Sequence, residues 1–320
     1  MNCPHCKSPV SARAKFCDQC GSNLAKDAEF LHQKALDHYH RGLIDQAVQL
    51  WVEAVAQSPD FSKGYYYKGL ALYDRGDLQE AIDAFERALE GEKEPFRVYF
   101  KLGMAQYGLG DLKGSEESFR RALQINPGSA ETHYRLGLSC LRNNDLESAR
   151  QALEEAILIN PHYTRALYIL GMVFAQKGEI DQAIERFQKV VQISPSYTSA
   201  RFELGMALFK RGNLQEAAEE FRRTVEISDR FVPAHFMLGE AYRKLGEFGD
   251  ATTAYNQVLK LNPKDVDTYI HLAECYMQLD FMDAASEAVD KALAINPNHR
   301  DARYLKKHLG EMMTPHKPGF

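Results

Sequence analysis

The feature that most constrains this chain is a pattern that returns every 34 residues, without insertion, from residue 28 to residue 299. Its clearest copy runs from Tyr168 to Phe187 and reads as two short helices folded against each other. Gly171 has counterparts at Gly69, Gly103, Gly137, Gly205 and Gly239, with Ala35 and Ala273 in the outer copies. A fixed period of this length marks an array in which each unit packs on its neighbours, not a globule around one core.

Each copy combines small and large positions. A second small series runs Ala47, Ala81, Ser115, Ala149, Ala183, Ala217, Ala251, Ala285. A third runs Ala54, Ala88, Ala122, Ala156, loosens to Val190, Thr224 and Val258, and returns to Ala292. Small side chains let two helix backbones approach closely. Between them stand Trp51, Phe85, Phe119, Leu153, Phe187, Phe221, Tyr255 and Val289, which fill the space. Gly42, Gly76, Gly110, Asn144, Gly178, Gly212, Gly246 and Asp280 share one place, where a helix end needs a left-handed residue. Pro59, Pro127, Pro161, Pro195, Pro263 and Pro297 then stop the second helix, with Lys93 and Asp229 in their place in two copies.

Leu170-Gly171, Phe174, Ala183, Phe187 and Pro195 together resemble the tetratricopeptide-repeat (TPR) signature. The resemblance covers residues 28–299 and implies an all-α fold: a right-handed superhelical solenoid of helix-turn-helix repeats. The expected copies are 28–61, 62–95, 96–129, 130–163, 164–197, 198–231, 232–265 and 266–299. The outer copies depart from the signature at Ala35, His38 and Ala273. After Pro297, residues 300–311 read as a capping helix, with Tyr304, Leu305 and Leu309 apolar. Residues 312–320, with two prolines and no pattern, are expected to be disordered.

Residues 1–24 are different in kind, and residues 25–27 link them to the repeats. Cys3-x2-Cys6 and Cys17-x2-Cys20 are two hooks that can complete a tetrahedral thiolate site, the geometry Zn²⁺ accepts. The segment has few apolar residues, chiefly Val10, Phe16 and Leu24, and needs a staple to fold at this size. A redox dithiol is the alternative, but no pattern of a redox βαβ unit surrounds either hook. The stretch around Phe16-Cys17-Asp18-Gln19-Cys20-Gly21 resembles the short zinc-ribbon of many bacterial proteins. That resemblance implies Cys3, Cys6, Cys17 and Cys20 as ligands of a structural Zn²⁺, with His5 exposed. Residues 1–26 carry Lys7, Arg13, Lys15 and Lys26 against Asp18, a net +3 that four thiolates and Zn²⁺ lower to +1. This is too little for a phosphate-tracking surface, so contact with protein or capping of the first repeat is expected.

The whole chain of 320 residues carries a net charge of −5, mild enough to name no polyanionic partner. No run of ~18 apolar residues exists to span a membrane, and the first residues lack the pattern of a secretory signal, so the expected location is cytoplasmic. No phosphate-cradling loop, nucleophile–base set or paired carboxylate rises above the repeats, and the chain is read as non-catalytic. Cys140 and Cys275 are expected to be buried, inert thiols.

Function is sought on a stripe of each first helix, at repeat positions 5, 9 and 12, which the resemblance places on a concave groove. Position 5 reads His32, Tyr66, Phe100, Tyr134, Tyr168, Phe202, Phe236, Ile270. Position 9 reads Leu36, Leu70, Met104, Leu138, Met172, Met206, Glu240, Glu274, and position 12 includes Tyr39, Tyr73, Tyr107, Leu141, Phe209, Arg243 and Met277. The stripe is apolar through six copies and then turns polar. It predicts a groove for a peptide or helix of another protein, adaptable through its methionines. Arg97, Arg135, Arg142, Arg165 and Lys210 lie on or beside it and can meet acidic flanks. The same side chains serve equally to stiffen neighbouring repeats, and that reading stays open. The alternatives are a regulator whose ribbon touches nucleic acid or the transcription or translation machinery, and a self-assembling homo-oligomer.

Overall fold

The computed structural model describes residues 1–12, 14–91 and 95–313; the expectations for Arg13, Lys93 and the tail from Thr314 lie outside them. The described residues form seventeen α-helices and no strand, only two isolated bridges, Asn2 with Pro9 and Phe16 with Asn23. The chain divides into two compact units, Met1–Ala166 and Leu167–Phe320.

The first unit holds the cysteine segment, a single 3₁₀ turn at Leu24–Lys26, and four helix pairs. These are α1 (Ala28–His40) with α2 (Ile44–Gln57), α3 (Ser62–Arg75) with α4 (Leu78–Leu89), α5 (Phe96–Leu109) with α6 (Leu112–Ile125), and α7 (Ala130–Arg142) with α8 (Leu146–Ile159). The division falls in the first turn of α9 (Thr164–Lys177). The second unit pairs α9 with α10 (Ile180–Ile193), α11 (Thr198–Arg211) with α12 (Leu214–Ile227), α13 (Val232–Leu245) with α14 (Phe248–Leu261), and α15 (Val266–Gln278) with α16 (Met282–Ile295). A last helix, α17 (Arg300–Met313), runs two residues past its expected end and buries Ala302, Leu305 and Leu309 with Val289 and Ala292 of α16.

The small-against-large rule is visible atom by atom. A Cβ added to Gly171 or to Gly205 would stand 2.6 Å from Cε1 of Phe187 or Phe221, so only glycine lets these rings lie on the facing backbone. Trp51, Phe85, Phe119, Phe187, Phe221 and Tyr255 are all fully buried. The turn position is left-handed in all eight copies, including the non-glycines Asn144 (φ 60°) and Asp280 (φ 63°). The proline helix stop is less essential than its recurrence suggests. Second helices end two residues before Pro59, Pro127, Pro161, Pro195, Pro263 and Pro297, and α12 ends at the same register before Asp229.

Candidate functional site

Two features stand out from the helical packing: the N-terminal sulfur cluster and the exposed stripe of the first helices. The sulfur cluster is built from two near-identical turns. Cys3 N–H donates to Ser8 O and Lys7 N–H to Cys3 O; Cys17 N–H donates to Ser22 O and Gly21 N–H to Cys17 O. Lys7 and Gly21 both take positive φ, 64° and 70°, which curls each loop around its cysteines. The four Sγ atoms lie within 4.8 Å of one another, with Cys3 to Cys20 at 3.7 Å and Cys6 to Cys17 at 3.5 Å. Four Zn–S bonds of ~2.3 Å in a tetrahedron set sulfurs about 3.8 Å apart, so the spacing is a metal-binding one. Ser8 Oγ lies 3.2 Å from Cys6 Sγ and Ser22 Oγ 3.1 Å from Cys20 Sγ. The Ser8 hydroxyl and backbone N–H lower the Cys6 thiol to about 6, and Ser22 acts likewise on Cys20. The N–H groups of Cys20 and Gln19 pull on Cys17, but burial and the Cys6 and Cys20 sulfurs push it up to about 11.

His5 is exposed and stands outside the sulfur cluster, 2.8 Å from Asp27 Oδ2. The other oxygen of Asp27 accepts from Phe30 N–H and caps α1. Cys3, Cys17, Leu24 and Phe30 share one small core, so the sulfur segment is seated on the first helix.

The stripe is less uniform than its spacing predicts. Tyr66, Leu70, Tyr73, Phe100, Met104, Tyr107 and Leu138 in the first unit stay partly exposed. So do Tyr168, Phe202, Met206, Phe209 and Phe236 in the second, while Met172 is 37% exposed. Tyr134 corrects the expectation: it is only 8% exposed, because Tyr163 packs on it with ring centroids 5.1 Å apart. His32 and Ile270 are buried as well. His32 accepts from Trp51 Nε1–H at 2.9 Å and is walled by Phe61 and Tyr67.

Sequence reasoning missed the residue behind this sealing. Phe61, Tyr163, Tyr197 and Phe231 recur at the 34-residue period just before a first helix, and cover His32, Tyr134, Tyr168 and Phe202 in turn. Position 5 is therefore half structural. Positions 9 and 12 remain the open part of the stripe.

In the first unit the open part deepens into a hollow of about 210 Å³. Tyr73, Met104, Tyr107 and Leu138, all predicted, line it, together with Arg135, Gly108 and the edge of Phe119. The Arg142 guanidinium stands 5.2 Å over the Tyr107 ring and donates to Tyr107 O. In the last two copies the stripe does turn polar. Glu240 accepts from Arg243 Nε at 3.0 Å and from the Tyr255 hydroxyl at 2.5 Å, and His271 Nδ1 lies 3.4 Å from Glu274. The Glu274 side chain raises the His271 pKa. Cys140 and Cys275 are fully buried, and burial pushes both thiols up to about 12.

No curated protein matches this chain. Among solved structures it is similar to YrrB, described as a TPR protein with an unusual peptide-binding site, at 24% identity over 60% of this chain and 99% of that one, TM-score 0.55. It is similar to MamA at 29% identity over 53% of this chain and 92% of that one, TM-score 0.51. It is also similar to the C-terminal part of a TPR repeat-containing protein from Cytophaga hutchinsonii, at 16% identity over 75% and 98%, TM-score 0.67. The tetratricopeptide-repeat profiles match residues 32–198 in overlapping segments, then 174–238 and 242–309. With helix pairs and left-handed turns at every copy, glycine–aromatic contacts in five of them, and profiles matching most of its length, the chain belongs to the tetratricopeptide-repeat family.

Proposed function

We propose that this protein is a non-catalytic adaptor that holds a peptide or helix of a partner protein on the open stripe of its first helices. A structural Zn²⁺ on Cys3, Cys6, Cys17 and Cys20 stabilises its N-terminal end. The observation that carries the reading is the incomplete burial of large apolar side chains: Met104, Tyr107 and Leu138 in one unit, Met206, Phe209 and the exposed Met172 in the other. Flat rings supply contact area at low ordering cost, and flexible thioethers adapt to different partners. The seating of the sulfur segment on Phe30 supports a capping role for the metal site, since a closed four-thiolate site leaves no open position for catalysis.

The test is affinity capture with the wild-type chain and with Met104→Ser/Leu138→Ser/Met206→Ser as baits. The wild type should retain one or more partners that the variant loses at unchanged far-UV helicity. Partners held equally by both baits would sink the stripe as the docking face. Elemental analysis should find about one zinc per chain, lost in Cys6→Ser/Cys20→Ser; a metal-free wild type would refute the zinc assignment.

A further inference from the structure

One residue lining the hollow of the first unit departs from the pattern of the other copies. Gly108 occupies a place where the other copies carry His40, Asp74, Arg142, Gln176, Lys210, Lys244 and Gln278, all polar and most of them long. A Cβ at Gly108 would already meet Leu78 Cδ1 at 3.1 Å, and any side chain there would stand at the rim of the hollow that Gly108 lines. Glycine inside a helix is costly and needs a reason. Here no left-handed turn requires it, since the positive-φ residue of this copy is Gly110.

Arg135 is the one charged side chain among the lining residues, and the two first helices that supply most of the lining are basic. α5 and α7 carry Arg97, Lys101, Arg135 and Arg142 against the single carboxylate Glu131, in a chain whose net charge is −5. Glu131 is already taken by Arg135 Nε and the Tyr163 hydroxyl. Arg142 meets no carboxylate within ion-pair distance among the described residues. Its guanidinium is held in place by the Tyr107 ring and carbonyl, with further N–H groups left to donate. A pre-placed guanidinium suits a carboxylate, which it can bind through two parallel hydrogen bonds. The volume of about 210 Å³ is below the ~300–1,000 Å³ of small-molecule pockets and suits a single large side chain.

We infer that this hollow is an anchor pocket for one aromatic or branched apolar side chain of a partner segment that carries Asp or Glu beside it. Gly108 admits the anchor and Arg142 reads the carboxylate. The inference rests on the adaptor reading above and deepens it at one copy.

Random 12-residue peptides displayed on phage and selected on the full chain test it. Selected sequences should share a large apolar residue next to Asp or Glu. By fluorescence anisotropy, such a peptide should bind Gly108→Gln at least tenfold more weakly than wild type. Arg142→Gln should weaken it about fivefold, and should leave the affinity of its Glu→Gln version unchanged. The thermal midpoint of Gly108→Gln should stay close to that of the wild type, the better helix propensity of glutamine offsetting the tight contact with the flexible Leu78 side chain, so a binding loss is not a folding loss. Peptides that bind the open stripe with no acidic preference, or that bind Gly108→Gln as tightly as wild type, overturn the pocket while leaving the adaptor reading standing. Selection of no peptide at all overturns both.

Discussion

His32 shows how a single side chain can be misassigned by spacing alone. Its register places it on the groove stripe, yet it lies under Trp51, Phe61 and Tyr67 with no exposure. Burial, aided by the nearby Lys63 charge, lowers its pKa from 6.5 to about 4. The unfolded chain therefore takes up this proton first. The stability that the neutral ring contributes is complete above about pH 6.5, falls as the pH drops towards 4, and levels off below. The lowering corresponds to on the order of 3 kcal/mol. Trp51 is the only tryptophan, so its fluorescence follows this repeat by itself. The urea midpoint of Trp51 fluorescence should fall between pH 6.5 and 4. In His32→Gln, which keeps an acceptor for the indole N–H, the fall should be much shallower; equal slopes would show that other groups cause it.

At the scale of elements, most of the architecture was legible because one constraint was repeated eight times. Close helix approach demands a small residue facing a ring, and Gly205 facing Phe221 is what the period says it must be. Gly205→Leu should cost about 2–3 kcal/mol, as overpacking of a filled core does, seen as a lower urea midpoint by circular dichroism. An unchanged midpoint would mean the pair separates freely. The sulfur segment was equally legible, since two CxxC hooks admit few geometries. Its seat on α1 was not, because Phe30 looks like any apolar residue of a first helix until Cys3, Cys17 and Leu24 are placed beside it. Removing the metal with a chelator should disorder residues 1–24 and uncover Phe30. The Trp51 transition should weaken by about 1–2 kcal/mol, with little loss of total helicity by circular dichroism. Collapse of the whole helical signal would contradict this. The exposed stripe was the least legible part. Exposure at positions 5, 9 and 12 depends on what the following turn places over them, so Tyr134 is sealed by Tyr163 while Met172 is open.

Across the whole molecule, stability is a sum of neighbouring contacts, not one shared core. Each described unit keeps its own buried clusters, around Trp51 and Phe85 in the first and around Tyr255 and Val289 in the second. Denaturation should therefore not be a single event. The Trp51 fluorescence transition and the far-UV circular dichroism transition should have different urea midpoints; superimposable curves would indicate all-or-none unfolding. A further consequence follows from the way α12 stops in register without a proline. If no single residue holds the joint between copies, a gene encoding such a chain can gain or lose a whole cassette by slippage without leaving a broken seam.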